Sequence, residues 1–424
     1  MYTYGEEVAA MFTFTAEAAA ATATTNGTKE GNDDSKKSSI EEEGKIVDTP
    51  TTIELSQELC KIVDHRHYSR EDDSMRTLGT LLEWADTEDS TYLHNFDAYG
   101  GVLKLLDFIQ TTLVDEKTNK DDVAGTICMG CIGKAACCIA NVIYLGEGNT
   151  NIAIATKMTT TLVNYNGIQT LLIANNVLLL ISTDDTVFSH SSQHLDAAKA
   201  IWGAFKNITY IVDKDVMKKE QAIDLFDSAM RMIRTLVVRN YTDPDINTND
   251  TNMTTASNTA RNIFDTLTNL VLHNYITKEE FKDKEALSKC LKAVAMVPNN
   301  KKNNNNDNNN KNNTTPSSLL LKSIIVFLQA CSKNDLLEHG NASDYESIVP
   351  LCVSCLKECS TNPTIRTFVV DLLTEACNSS NNNNKMIEKA GALEALSLLV
   401  TSIYINEDEK KNVRSLIVKI CATQ

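Results

Sequence analysis

The segment AIWGAFKNI, residues 200–208, sets Trp202, Phe205 and Ile208 three residues apart, with Asn207 two residues after the phenylalanine. That spacing brings the apolar side chains to one face of an α-helix, so the segment reads as a buried helical stripe. The arrangement recurs. NIFDTLTNL (262–270) carries Phe264, Leu267, Asn269 and Leu270; AACCIANV (135–142) carries Ala136, Ile139, Asn141 and Val142; LLTEACNS (372–379) carries Leu373, Ala376 and Asn378. Each asparagine comes near the end of its helix, where a carboxamide satisfies backbone groups that lack a helical partner.

A second pattern opens the helix that precedes each of these. AYGGVLKLLDFI (98–109), NYNGIQTLLIAN (164–175) and KAGALEALSLLV (389–400) place Gly100 and Gly101, Gly167 and Gly391 just before an apolar run. Glycine there permits a sharp turn and a close approach of backbone to its neighbour. EALSKCLKAV (285–294) is a version without the glycine. About six units result, beginning near residues 101, 167, 222, 286, 345 and 391. The shortest interval, 46 residues, matches the ~40–47 residues of a helical repeat unit.

The longer intervals contain polar inserts at 115–124, 183–194, 240–258 and 298–316, the last mostly asparagine and expected to be disordered. Insertion at one place in a repeating unit is how a stack of repeats accommodates loops along one edge. Residues 1–52 read as a disordered, acidic and Thr-rich tail, and 53–424 as one helical-repeat domain.

Composition agrees. The 424 residues include 16 Gly and 6 Pro, few breakers for a chain that is 42% hydrophobic, which favours helices over a sandwich or barrel. A net charge of −16 repels phosphate backbones, so nucleic acid is not expected as a partner, whereas a basic peptide or protein is compatible. The N-terminal segment carries Glu6, Glu7 and Glu17 and no basic n-region, unlike a signal peptide. The most apolar run, 168–181, is shorter than the ~20 residues a bilayer span needs, so no transmembrane segment is expected. Location in the cytoplasm, with the nucleus as an alternative, follows. The twelve cysteines sit mostly in apolar helical context and read as buried, reduced thiols.

The junction from Thr364 to Val400, the segment AIWGAFKNI and the start AYGGVLKLLDFI resemble armadillo repeats. The resemblance implies an all-α, right-handed superhelical solenoid whose third helices line a concave groove. It also implies that groove asparagines clamp the backbone of an extended peptide, with Asn141, Trp202, Asn207, Asn269 and Asn378 at approximately those positions. Trp202 and Asn207 stand five residues apart, where importin-like repeats have four. Capping or bridging between repeats is the alternative role for these asparagines.

No catalytic constellation emerges. His190 and His194 share a helical face, but Ser191 stands where a zinc protease needs Glu. Cys128 and Cys131, and Cys352, Cys355 and Cys359, have thiolate-ligand spacing but lie in helical stripes, so no metal site is expected. Gly133-Lys134 lacks the leading glycine and the Ser/Thr of a phosphate loop. No enzyme and no cofactor is expected. The expected function is a scaffold or adaptor for protein–protein interaction. A regulatory or chaperone-like subunit of an enzyme complex is the alternative. A third reading is a prenylated peripheral protein, because Cys421-Ala422-Thr423-Gln424 has the form of a prenylation box.

Overall fold

The computed structural model describes residues 51–64, 71–85, 90–118, 124–146, 152–181, 192–212, 214–242, 250–283, 316–334, 336, 342–358, 363–379, 381–402 and 405–422. All belong to one compact unit, Val47–Gln424. The chain is all-α: the described residues form seventeen helices and no strand. Of the expected features, residues 1–50 of the N-terminal tail, the start near 286, and His190 and Cys359 lie outside the described residues. So do most of the insert at 183–194 and nearly all of the Asn-rich stretch.

In chain order the helices are α1 (Thr52–Asp64), α2 (Glu71–Ala85), α3 (Ser90–Ala98), α4 (Gly101–Thr118), α5 (Ala124–Gly146) and α6 (Ile152–Asn164). Next come α7 (Gly167–Ile181), α8 (Ser192–Ile211), α9 (Lys219–Thr242), α10 (Asp250–Leu272), α11 (Lys278–Asp283) and α12 (Pro316–Lys333). The C-terminal set is α13 (Ala342–Glu358), α14 (Pro363–Ser379), α15 (Asn381–Lys389), α16 (Ala392–Thr401) and α17 (Glu407–Cys421).

One set of helices packs in succession: α2 on α5, α5 on α8, α8 on α10, α10 on α12, α12 on α14 and α14 on α17. A second set does likewise, with α1 on α4, α4 on α7, α7 on α9, and α13 on α16. Short helices such as α3 and α6 bridge the two sets. The interior between them is a continuous apolar cluster in which Trp202, Phe205, Phe226, Phe264 and Phe327 are each fully buried. No single helix covers its apolar stripe alone; burial of these faces at roughly 25 cal/mol per Å² is what holds successive helices together.

The turn into the second set repeats atom for atom. Gly100, Asn166 and Gly391 each have a left-handed backbone (φ 64°, 59° and 83°). Each donates its N–H to the carbonyl three residues back, at Asp97, Val163 and Glu388, and accepts from the amide four residues on. Asparagine tolerates this conformation better than other side chains, which is why Asn166 replaces glycine in one copy. Gly101 and Gly167 serve a different need: a Cβ there would lie 2.5 Å from Phe96 and 2.5 Å from Leu162, so the helix start seats directly on the preceding short helix.

The apolar helices expected to begin near 101, 167, 222, 345 and 391 begin at Gly101, Gly167, Lys219, Ala342 and Ala392. Two differences stand out. The pair α1 and α2 adds a stage ahead of the first counted unit. In addition, the supposed insert at 240–258 is largely helical, since α9 extends to Thr242 and α10 starts at Asp250. Its Thr and Asn content conceals a helical stripe: Thr255, Ala256, Thr259 and Ala260 are buried, and the Thr259 hydroxyl donates to the Thr255 carbonyl instead of to solvent.

Candidate functional site

An open groove of about 490 Å³ crosses four helices, α2, α5, α8 and α10. Its floor is built from Gly130, Gly133, Ala140, Ala197, Ala200 and Gly203. Small residues here let α5 and α8 approach closely: a Cβ on Gly133 would stand 2.8 Å from the Cα of Ala197. With no bulk on the floor, a trough remains between the longer side chains at its edges. Those edges carry Lys134, Lys199, Lys206, Asn141, Asn207 and Asn262, with Asp196 and the half-exposed Tyr144 ring.

The polar edge residues keep a strict register. Lys134 and Asn141, and Lys199 and Lys206, are each seven apart, two helical turns, and so share a face, as do the edge residue Asn262 and Asn269 beneath it. From each helix the polar groups reach back to carbonyls of the preceding one. Lys134 Nζ donates to Met75 O at 3.2 Å, Asn207 Nδ2 to Ala140 O at 2.8 Å, Asn262 Nδ2 to Lys199 O at 3.2 Å and Asn269 Nδ2 to Lys206 O at 3.2 Å. A helical carbonyl that already accepts its own i+4 amide has a second lone pair for such a bond.

The residues singled out from the sequence therefore separate. Asn141 and Asn207 line the groove, half-buried. Asn269 is buried below it, where its amide also donates to Thr209 Oγ1 at 3.1 Å. Asn378 is exposed on α14 and accepts from Lys419 Nζ at 3.0 Å. Trp202 is a correction: instead of lining the groove it is 0% exposed on the far side of α8. Its Nε1 donates to Asn175 Oδ1 at 3.0 Å, and Asn175 Nδ2 donates to Ser228 Oγ at 2.9 Å. The apolar spacing that puts Trp202 in line with Phe205 aims both at the core, away from the polar face. Asn262 is the groove residue the sequence reading missed; its seven-residue offset from Asn269 was the available signal.

Beyond the groove, at the meeting of α8, α10 and α12, four ionisable side chains cluster. Asp265 accepts the Ser323 hydroxyl at 2.6 Å and lies 3.4 Å from Lys206 Nζ and 3.8 Å from Arg261 Nε. Burial pushes the Lys322 ammonium below the ordinary lysine range; repulsion from Arg261 adds to that, and Asp265 opposes it.

A second cavity, about 530 Å³, lies between α7 and α9, lined by Gln169, Asn176, Asp224, Asp227, Arg231 and Arg234 over Leu172 and Met230. Two acids face two bases there and only two helices contribute, so it lacks the groove's reach and its one-sided charge. Among the described residues, no group of three or more Cys, His, Asp or Glu side chains gathers as a metal site. None of the described helices is long and apolar enough to cross a membrane. Cys131, Cys138, Cys331, Cys352, Cys355 and Cys377 are buried cysteines. His194 is buried in α8. Cys421 is exposed but belongs to the last turn of α17, where Ala422 N–H still bonds the Val418 carbonyl. No known family model and no curated protein matches the sequence.

Proposed function

We propose that the protein is a non-enzymatic scaffold or adaptor of the cytoplasm or nucleus, built as an armadillo-like right-handed solenoid whose groove holds an extended segment of a protein partner. The observation that carries this reading is the groove itself. It has a floor of glycine and alanine, edges of ammonium and carboxamide groups at seven-residue intervals, and four successive helices contributing to it. Support for a repeating stack comes from the offsets of contacts between successive helices. Asn262 to Lys199 and Asn269 to Lys206 both span 63 residues, while Arg366 to Glu409 spans 43 where no long insert intervenes. Helices packed about 8–10 Å apart carry the polar edge from α2 to α12 over roughly 40 Å, the reach of about 12 extended residues.

The test uses the intact chain and an array of labelled peptides about 12 residues long. Ala200→Trp fills the trough from a half-exposed floor position. The expected result is loss of the peptides that the unaltered chain retains, with helicity by circular dichroism unchanged. Retention of every peptide by the Trp variant would remove the groove as the working surface.

A further inference from the structure

The groove reading leaves open the chemistry of the segment, and the charges on its edge address that. We propose that the groove, together with the ion cluster that adjoins it at Lys206, takes an acidic protein segment, whose carboxylates are held by Lys199 and Lys206 in the groove and by Arg261 and Lys322 beside it, with Asp265 as the resident counter-ion that such a segment supplements. This inference rests on the groove-binding reading above and adds the class of partner to it.

The local charge runs against the charge of the whole chain. The net formal charge is −16, yet among the described residues lining the groove Lys134, Lys199 and Lys206 stand against Asp196, and Arg261 and Lys322 gather around Asp265 beside Lys206. Excess cations concentrated in and beside one groove of an acidic protein repel one another, and an arriving anion relieves that repulsion. Lys322 belongs to this cluster. Its half-buried ammonium is disfavoured by lost hydration and by Arg261, and one carboxylate, shared with Lys206, Arg261 and Ser323, does not restore its ordinary basicity. Lys199 is exposed on α8, seven residues before Lys206 and so on the same face. A strand of alternating carboxylates laid along the trough meets these cations in turn, while the acidic exterior repels the same strand elsewhere. An acidic segment is opposite in sign to the basic partner that net charge alone makes compatible.

The experiment measures fluorescence anisotropy of the full chain with three labelled peptides of about 12 residues: Glu alternating with Ser, Lys alternating with Ser, and Gln alternating with Ser. A single-stranded RNA oligomer of similar length is a fourth probe. The expected result is binding of the Glu peptide alone, weakened by added salt. Lys199→Glu is expected to weaken it about tenfold through a like-charge contact. Asp265→Asn, which keeps an acceptor for Ser323 but removes the competing charge, is expected to tighten it severalfold, a gain that a merely structural residue would not produce.

Absence of Glu-peptide binding at low salt overturns the proposal, and so does indifference of that binding to both variants. Equal or tighter binding of RNA assigns the cations to nucleic acid instead and also overturns it. If the Lys or Gln peptide binds and Ala200→Trp abolishes that binding, the groove survives and only the acidic assignment falls. If Ala200→Trp affects no bound peptide, both readings fall together.

Discussion

The indole Nε1 of Trp202 and the amide oxygen of Asn175 form a hydrogen bond of 3.0 Å with both side chains fully buried, and Asn175 passes the link on to Ser228. Three consecutive helices, α7, α8 and α9, are thus tied by one buried polar chain. A buried polar group is tolerated only when its partners are complete, and here each donor finds one.

Asn175→Leu keeps the volume but removes both hydrogen-bonding ends. The indole N–H and the Ser228 hydroxyl then lose that partner in a dry setting, at a cost of about 1–3 kcal/mol. Urea unfolding followed by tryptophan fluorescence reads this as a lower midpoint. A midpoint equal to that of the parent protein would show that the chain of bonds contributes nothing.

Gly133 and Gly203 sit on the same floor but face different neighbours. A Cβ at 133 meets the backbone Cα of Ala197 at 2.8 Å, whereas one at 203 meets only Asn262 Nδ2 at 3.5 Å and Ala140 Cβ at 4.0 Å. Gly133→Val is therefore expected to push α5 from α8 and cost about 1–3 kcal/mol. Gly203→Ala is expected to be neutral or stabilising by up to about 1 kcal/mol, because alanine favours the helix. Equal thermal midpoints for the two variants would contradict the packing described.

Lys322→Met tests the strained ammonium through pH. Because the folded-state pKa of Lys322 lies below its ordinary value, the charged form is penalised in the fold at neutral pH, and that penalty fades as pH rises toward the unfolded value. The Met variant is expected to unfold at higher urea than the parent near pH 7, with the gap closing in strong alkali. A Met variant that is less stable at neutral pH would mean that the attraction to Asp265 outweighs burial.

The thiols separate by reactivity. Burial pushes Cys352 up to about 12; it pushes Cys377 to about 11, with Lys419 pulling the other way, so both stay protonated and unreactive. Iodoacetamide at mildly alkaline pH is expected to modify the exposed Cys60 and Cys421 and to spare Cys352 and Cys377 until denaturant is added. Mass spectrometry of protein from its own cells checks the same residue for lipid: an unmodified Cys421 there removes the membrane-anchor reading.

Much of the helical order was legible in the one-dimensional pattern. Apolar residues at three- and four-residue spacing mark the helices from Gly101 onward, and glycine before an apolar run marks the turns at 100 and 391. These signals are local: they depend on backbone sterics and on which face of a single helix is greasy. Where small polar residues stand in for apolar ones, as at Thr255 and Thr259 in α10, the same reading failed, because a threonine hydroxyl can turn back to its own helix and be buried without any apolar signal.

The site belongs to a different level. That Trp202 faces Asn175 and not the groove, and that Lys206, Arg261 and Lys322 converge on Asp265 from three helices, depends on the rotation of each helix against its neighbours. That rotation is set by packing between residues some 60 positions apart, such as Gly133 against Ala197, for which local periodicity carries no information. Charge shows the gap most clearly. Composition alone yields an acidic protein, and only the tertiary packing brings Lys206, Arg261 and Lys322 together from three helices, because Coulomb energy depends on distance in space and not on separation along the chain.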